Sequence, residues 1–277
     1  MKKNNLDMYC LSMSPSNLGT IKAIGYLPVG LGDNKFSKNW LSDRFKKDIS
    51  KKNKYYGEYT FHYKIWKKKL NLKNKWIGFC QYRKFWIQKN LKKKNISFKE
   101  FNSILLKSIS KKMDRYDVIL GNELEINNFK FSKFVKRNLK NFIFQPSVLY
   151  DKRKRTIKFH FDTWHGKGNL DKAISVLDSK EKKDFNTFVN TEVAFNPHNM
   201  FICKNKKMLF NYYDSLFPWL KRCEKIFGFK NLNGYGLQRI YAFLAERYLS
   251  YWFKKYAKCY LLPILFKDIN DFSYKNL

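Results

Sequence analysis

Apolar positions fall along this chain in short blocks whose spacing changes from element to element. Residues 7–13 (DMYCLSM) form an apolar run closed by Ser-Pro-Ser-Asn-Leu-Gly, which predicts a buried first strand and a tight exit loop. A second run, Ile21 to Val29, ends at Gly30, Gly32 and Asp33 and predicts a second strand followed by a glycine-containing loop. Tyr55, Tyr59, Tyr63 and Trp66 recur at spacings of four, four and three, one face of a helix over 53–70. Residues 76–87 (WIGFCQYRKFWI) read as a buried strand with a polar interruption at Gln81–Lys84. An amphipathic helix then enters through Ser97, with Glu100 three residues on in a capping-box pattern. Strands are expected at 116–121 and 198–204. Helices are expected at 169–190 in two pieces, at 208–228 with a bend near Pro218, and at 235–258. Residues 127–168 have poor periodicity. Strands alternating with helices predict an α/β fold in a single domain over 1–277, a mixed, mainly parallel Rossmann-type sheet flanked by helices.

Composition narrows the class. The 277 residues are 44% hydrophobic and 18% aromatic, enough for a substantial core and far from a disordered tail. The formal net charge is +35. Heavy use of Lys, Asn, Phe, Ile and Tyr makes part of this a compositional bias, and the rest points to an anionic partner. The Lys residues are spread along the chain, without zinc-finger spacing or an RNA-recognition signature. An anionic membrane surface is therefore favoured over nucleic acid, with 127–158 and 251–266 as the contact segments. The five cysteines match no CxxC site and are odd in number, which predicts reduced thiols. No apolar run reaches the roughly 20 residues of a membrane span. The expected location is the cytoplasm, peripheral at the inner membrane.

Four segments combine charge with aromatics in ways a core does not require. Glu58 lies among tyrosines, where a buried carboxylate needs a partner. Gln81, Tyr82, Arg83 and Lys84 place two cations in an apolar strand, and arginine's planar fork suits a diphosphate. His198 and Asn199 stand at the entrance of an apolar strand, placed to hydrogen-bond a sugar or base. Arg239, Glu246 and Arg247 share one helix, with Glu246 two turns after Arg239; this reads either as a structural ion-pair network or as a buried general base. Asp162, Glu192 and His165 complete the candidates. GxSxG, HExxH and a clean DxD are missing; ELE at 123–125 comes nearest to the last.

Four blocks in order over residues 53–253 resemble the family of domain of unknown function 4422. YYGEYTFHYKIWKK resembles its YxELTxxYWIWKN block and IGFCQYRKFW its IGxxHYRRYF block. NPHNMFICKNKKMLFNYYDSLFPWL resembles NMFIMKKxxFxxYxxWLF, and YGLQRIYAFLAERYLSYWF resembles RxxGFLAERLLxVYL. Lys64, Lys68, Gln81 and Lys84 depart from the pattern; Gln81, where the family has His, keeps hydrogen bonding but loses the ring nitrogen. The resemblance implies a GT-A-like glycosyltransferase of capsular or other surface polysaccharide, with a donor-binding half at about 1–125 and an acceptor-side half at about 126–277. With it goes a nucleotide-sugar donor, UDP-linked by preference, for which the residues themselves offer Gly30, Asp33, Gln81, Tyr82, Arg83 and Lys84. The acceptor, a polysaccharide or lipid-linked glycan, would meet Asp162, His165, His198, Asn199 and Arg239, with Glu246, Glu58 or Glu192 as base. Cations at 81–84 are expected to replace a bound metal, with Mg or Mn as the alternative. Two competing readings are a basic nucleic-acid-binding protein and an inactive scaffold of a capsule-synthesis complex.

Overall fold

Strand β1 (Leu6–Ser12) is buried on both faces. Leu6, Met8 and Cys10 join an apolar cluster on one side, and Tyr9 meets Phe61 and Phe79 on the other. A near-continuous apolar run produces this in the middle of a sheet covered on both sides. The computed structural model describes residues 5–69, 74–91, 95–127 and 147–272.

β1 pairs in parallel with β2 (Leu27–Gly30) and β4 (Trp76–Gln81), and β2 pairs in parallel with β3 (Leu41–Ser42). Beyond β4 comes β9 (Phe201–Cys203), antiparallel to both neighbours, then β6 (Val118–Gly121) and β10 (Cys259–Leu262), parallel to each other. β5 (Lys84–Trp86) turns back on β4 and pairs antiparallel with β11 (Ile264–Phe266). This is the mixed, mainly parallel sheet that the sequence predicts.

Residue contacts divide the chain into two units. The first comprises Met1–Asn122, Met200–Asp214 and Phe253–Leu277 and contains the whole sheet; the second comprises Glu123–Asn199 and Ser215–Trp252. The first unit holds α1 (Leu18–Ala23), α2 (Asn53–Tyr56), α3 (Tyr59–Lys68) and α4 (Phe98–Ile104). Ser97 caps α4 with the expected box: its Oγ accepts from Glu100 N while Glu100 accepts from Ser97 N. On the α3 side of the sheet, His62 packs 4.3 Å from Phe79, and its Nδ1 meets the Tyr213 hydroxyl at 2.6 Å.

The second unit contains a two-stranded ribbon, β7 (Leu124–Glu125) with β8 (Ala194–Phe195). Its helices are α5 (Ser147–Tyr150), α6 (Ile157–His165), α7 (Asn169–Ser175), α8 (Ser179–Thr191) and α10 (Tyr235–Gln238). The unit boundary also falls within α9 (Lys206–Phe227) and α11 (Ile240–Tyr256). Phe185 anchors the core here, edge-on to Trp219 and Tyr248. Among the described residues no helix is long and apolar enough to cross a membrane.

Three local expectations are corrected. The run 21–29 is not one strand: Ile21 and Ile24 are spaced by three, bury from α1, and Gly25 at φ 78° turns the chain into β2. The run 76–87 is a tight hairpin, with Gln81 opposite Lys84 and Arg83 in the turn, so Arg83 does not lie within a strand. The helix over 53–70 is broken at Gly57, whose φ of 55° suits glycine. The expected two pieces at 169–190 are α7 and α8. Of the irregular stretch 127–168, residues 128–146 lie outside the described residues, and 157–165 form α6.

Candidate functional site

In the first unit, parallel pairing sets Ser12 beside Gly30 and Leu11 beside Gln81, so three strands end together. Ligands of such sheets bind outside the carboxyl ends. Ser12 organises the first exit loop, its Oγ accepting from Ser14 N at 3.0 Å and Asn17 Nδ2 at 2.9 Å. Gly30 is required by packing: a Cβ there would lie 2.4 Å from the Phe36 ring. The 30–34 loop is pinned by Asp43, which is buried and accepts from Gly32 N at 3.2 Å, and by Arg44, which donates to Gly32 O at 2.9 Å. Burial pushes the Asp43 carboxyl above its usual range, opposed by hydrogen bonds from Thr60 and Gly32. Asp33 is exposed beside these anchors. Lys64, where the family pattern has Trp, donates to the Ser42 and Arg44 carbonyls and holds the segment whose Asp43 and Arg44 pin that loop.

Arg83 projects from the β4–β5 turn with its side chain 59% exposed. Its guanidinium lies 4.7 Å from the Tyr82 ring, and its Nε donates to Asp268 at 2.6 Å. Gln81 and Lys84 flank it, half-buried. The edge thus gathers Gly30, Asp33, Gln81, Tyr82, Arg83 and Lys84 around the ends of neighbouring strands. Glu58 is also in this unit, as the N-cap residue of α3.

The second unit holds a pocket of about 630 Å³, within the usual range for small ligands. Trp164 and His165 of α6, Phe195, His198, Tyr235 and Glu246 are among its walls. Tyr235 is 69% exposed and presents a flat apolar face. Gly236 permits the wall to close: a Cβ there would lie 2.1 Å from the Trp164 carbonyl oxygen. His198 and Asn199 both adopt positive φ, 82° and 54°, which turns the His198 N–H onto Glu246 Oε1 at 2.6 Å. The other Glu246 oxygen pairs with Arg247.

Arg247 is 1% exposed. Its guanidinium stacks 4.3 Å from Phe195, donates to Phe243 O at 3.3 Å and meets His160 Nδ1 at 3.2 Å. Burial pulls its pKa down, and Glu246 opposes this. Because a guanidinium only donates, His160 Nδ1 is the acceptor and its proton sits on Nε2. His165 is the reverse: Nδ1 faces the Gly236 carbonyl at 2.9 Å and carries the proton, leaving Nε2 as acceptor. Burial, then the Arg247 charge, lowers the His165 pKa to about 3 and holds His160 well below its ordinary value. Both rings are neutral at physiological pH. A base so far below the working pH is a poor proton acceptor, so His165 serves best as a hydrogen-bond acceptor.

The pocket brings together His165, His198 and Glu246. Asn199 lies behind it, donating to Ala242 O at 3.3 Å, and Arg239 sits between α10 and α11 with its guanidinium 5.8 Å from the Tyr235 ring. Asp162 faces another cavity of the same unit, and Glu192 is exposed at the C-cap of α8. Sequence reasoning missed His160 and Trp164; their signal was the pair of histidines five apart in HFDTWH. Among the described residues no group of three or more His, Cys, Asp and Glu side chains is gathered as a metal site would be.

The sequence profile of the family described as "Domain of unknown function (DUF4422)" matches residues 11–257. A solved structure described as the apo form of the WbbM bifunctional glycosyltransferase is similar to this chain, with a TM-score of 0.66 at 20% identity. That match covers 95% of this chain and 45% of the other, so the chain spans less than half of that protein's length, and the likeness is one of fold. No curated protein matches.

Proposed function

The chain belongs to the family of domain of unknown function 4422, and on that premise we propose that it is a glycosyltransferase moving a sugar from a nucleoside-diphosphate sugar, UDP-linked by preference, to a hydroxyl of a capsular or other surface glycan. One observation carries the proposal. Three strands of a mainly parallel sheet end side by side, and the loop after one of them exposes Arg83 at that edge. A GT-A-like enzyme needs such an edge for its nucleotide, and the solved glycosyltransferase of similar fold supports this reading.

In this mechanism the 12–17 and 30–34 loops bind the nucleoside. Arg83, with Lys84 beside it, faces the diphosphate, where a fixed cation stabilises the charge that grows as the glycosyl–phosphate bond breaks. These cations take the place of a divalent ion. The pocket of the second unit suits a sugar by itself: Tyr235 and Trp164 offer apolar faces to a sugar ring, and His165 and Glu246 offer acceptors to its hydroxyls. Glu246 is the carboxylate of that pocket and our candidate for the base.

The excess positive charge supports attachment to anionic lipid at the cytoplasmic face of the membrane. Of the expected contact segments, 128–146 lie outside the described residues, and 251–266 expose Leu261 and Phe266. The test is calorimetry of the full chain with UDP, GDP and CMP, with and without Mg or Mn. Binding of a nucleoside diphosphate without added metal is expected; binding of none of them contradicts the reading.

A further inference from the structure

Helix α6 separates two cavities. One is the pocket described above; the other, about 440 Å³, is bounded by Arg153, Lys154, Lys158 and Lys167, four cations against one lining carboxylate, Asp162. That carboxylate faces protein partners, accepting from Gly168 N at 3.2 Å and Lys158 Nζ at 3.1 Å. Lys158 is shared with Asp171, and Arg153 is forked onto Asp151 at 3.0 and 3.1 Å. Lys154 has no ion-pair partner among the described residues, and both Lys154 and Lys167 are exposed. The first turn of α6, capped by Thr156, adds the positive end of a helix dipole to the same cavity. Thr163 belongs to both walls, and its buried hydroxyl has no hydrogen-bond partner among the described residues.

A cationic cavity that shares a wall residue with an aromatic, hydrogen-bonding pocket matches a ligand with a sugar at one end and an anion at the other. We propose that the basic cavity binds the phosphate or diphosphate of a glycosyl phosphate whose sugar lies across Thr163 in the pocket of His165 and Tyr235. The inference deepens the proposed function by making the acceptor a phosphorylated sugar. The binding site itself does not depend on transfer taking place.

The test uses the full chain without donor. Calorimetry is run with glucose 1-phosphate, with a short-chain prenyl diphosphate-linked glucose, and with vesicles of phosphatidylglycerol, on wild type and on Lys154→Glu combined with Lys167→Glu. Both substitutions are on exposed side chains, so the melting temperature should stay unchanged. Loss of charge-assisted contacts should weaken binding of a phosphorylated probe roughly ten- to a hundredfold. If only the prenyl-linked probe responds, the phosphate comes from a lipid carrier; if glucose 1-phosphate responds as well, a soluble sugar phosphate suffices. Equal affinity in wild type and variant overturns the proposal, as does failure of both phosphorylated probes to bind. Lysine-dependent binding to vesicles with no affinity for either probe also overturns it and makes this face a membrane contact. Retained binding of a phosphorylated probe with no sugar transfer would contradict the proposed function and leave this site standing.

Discussion

The backbone N–H of His198 donates to Oε1 of Glu246 at 2.6 Å, across 48 residues of sequence. The contact is possible because His198 has a φ of 82°, a region that residues with a Cβ enter rarely. Glu246 is thereby fixed from one side by a strained turn and from the other by Arg247. Its ion partner is the next residue on its own helix and not Arg239, which lies beside Tyr235.

Glu246→Gln keeps an acceptor for His198 but leaves the guanidinium of Arg247 buried without its counter-charge. Breaking a buried pair costs about 3–5 kcal/mol. The variant should therefore unfold at clearly lower denaturant, and replacing Arg247 with Met as well should recover part of the loss. If the folded variant also loses transfer at unchanged donor affinity, Glu246 acts on the acceptor. Wild-type transfer by the folded fraction would restrict it to a structural role.

Buried histidines should make the protein acid-sensitive. His62 and His165 have folded pKa values of about 3, and His160 lies well below its ordinary value, so between pH 6.5 and 5 the unfolded chain binds protons that the folded chain does not. Stability is present above about pH 6.5 and falls as the pH drops, by about 1.4 kcal/mol per unit for each histidine. Chemical denaturation at pH 7 and pH 5 measures the slope, which His165→Asn should reduce by one histidine's share. A pH-independent midpoint would show that these rings are not held neutral.

Gly236→Ala would place a methyl group 2.1 Å from the Trp164 carbonyl oxygen. Backbone must move to admit it, and overpacking of this kind costs about 1–3 kcal/mol. The expected result is a lower melting temperature with a raised KM for the acceptor. Donor affinity should be unchanged, since the edge proposed to bind the donor belongs to the first unit.

Much of the sheet was legible because its central strands are continuous apolar runs, and Ser97 with Glu100 marked a helix start that the chain uses. Other features were not. Apolar residues on both sides of Gln81–Lys84 hid the hairpin, since periodicity does not separate one long strand from two short ones. Pro263 between two short runs likewise hid β10 and β11. The donor-edge candidates share a strand-end sequence signal, whereas the second-unit pocket draws its walls from α6, β8 and α11. His160 meets Arg247 only through that folding, and an adjacent pair such as Glu246–Arg247 leaves no periodic signature.

Arg83 stands exposed in the turn at the edge proposed to hold the donor. Its pairing with Asp268 is half-exposed and contributes little to stability, about 0–1 kcal/mol for such pairs, so Arg83→Ala should fold as wild type does. The most direct measurement is sugar release and transfer from UDP-, GDP- and CMP-sugars by wild type and Arg83→Ala, with and without divalent metal. Wild type is expected to turn over at least one nucleotide sugar, and Arg83→Ala to do so about ten- to a hundredfold more slowly through loss of a charge-assisted contact. Turnover of none, or turnover indifferent to Arg83, would contradict the proposed function.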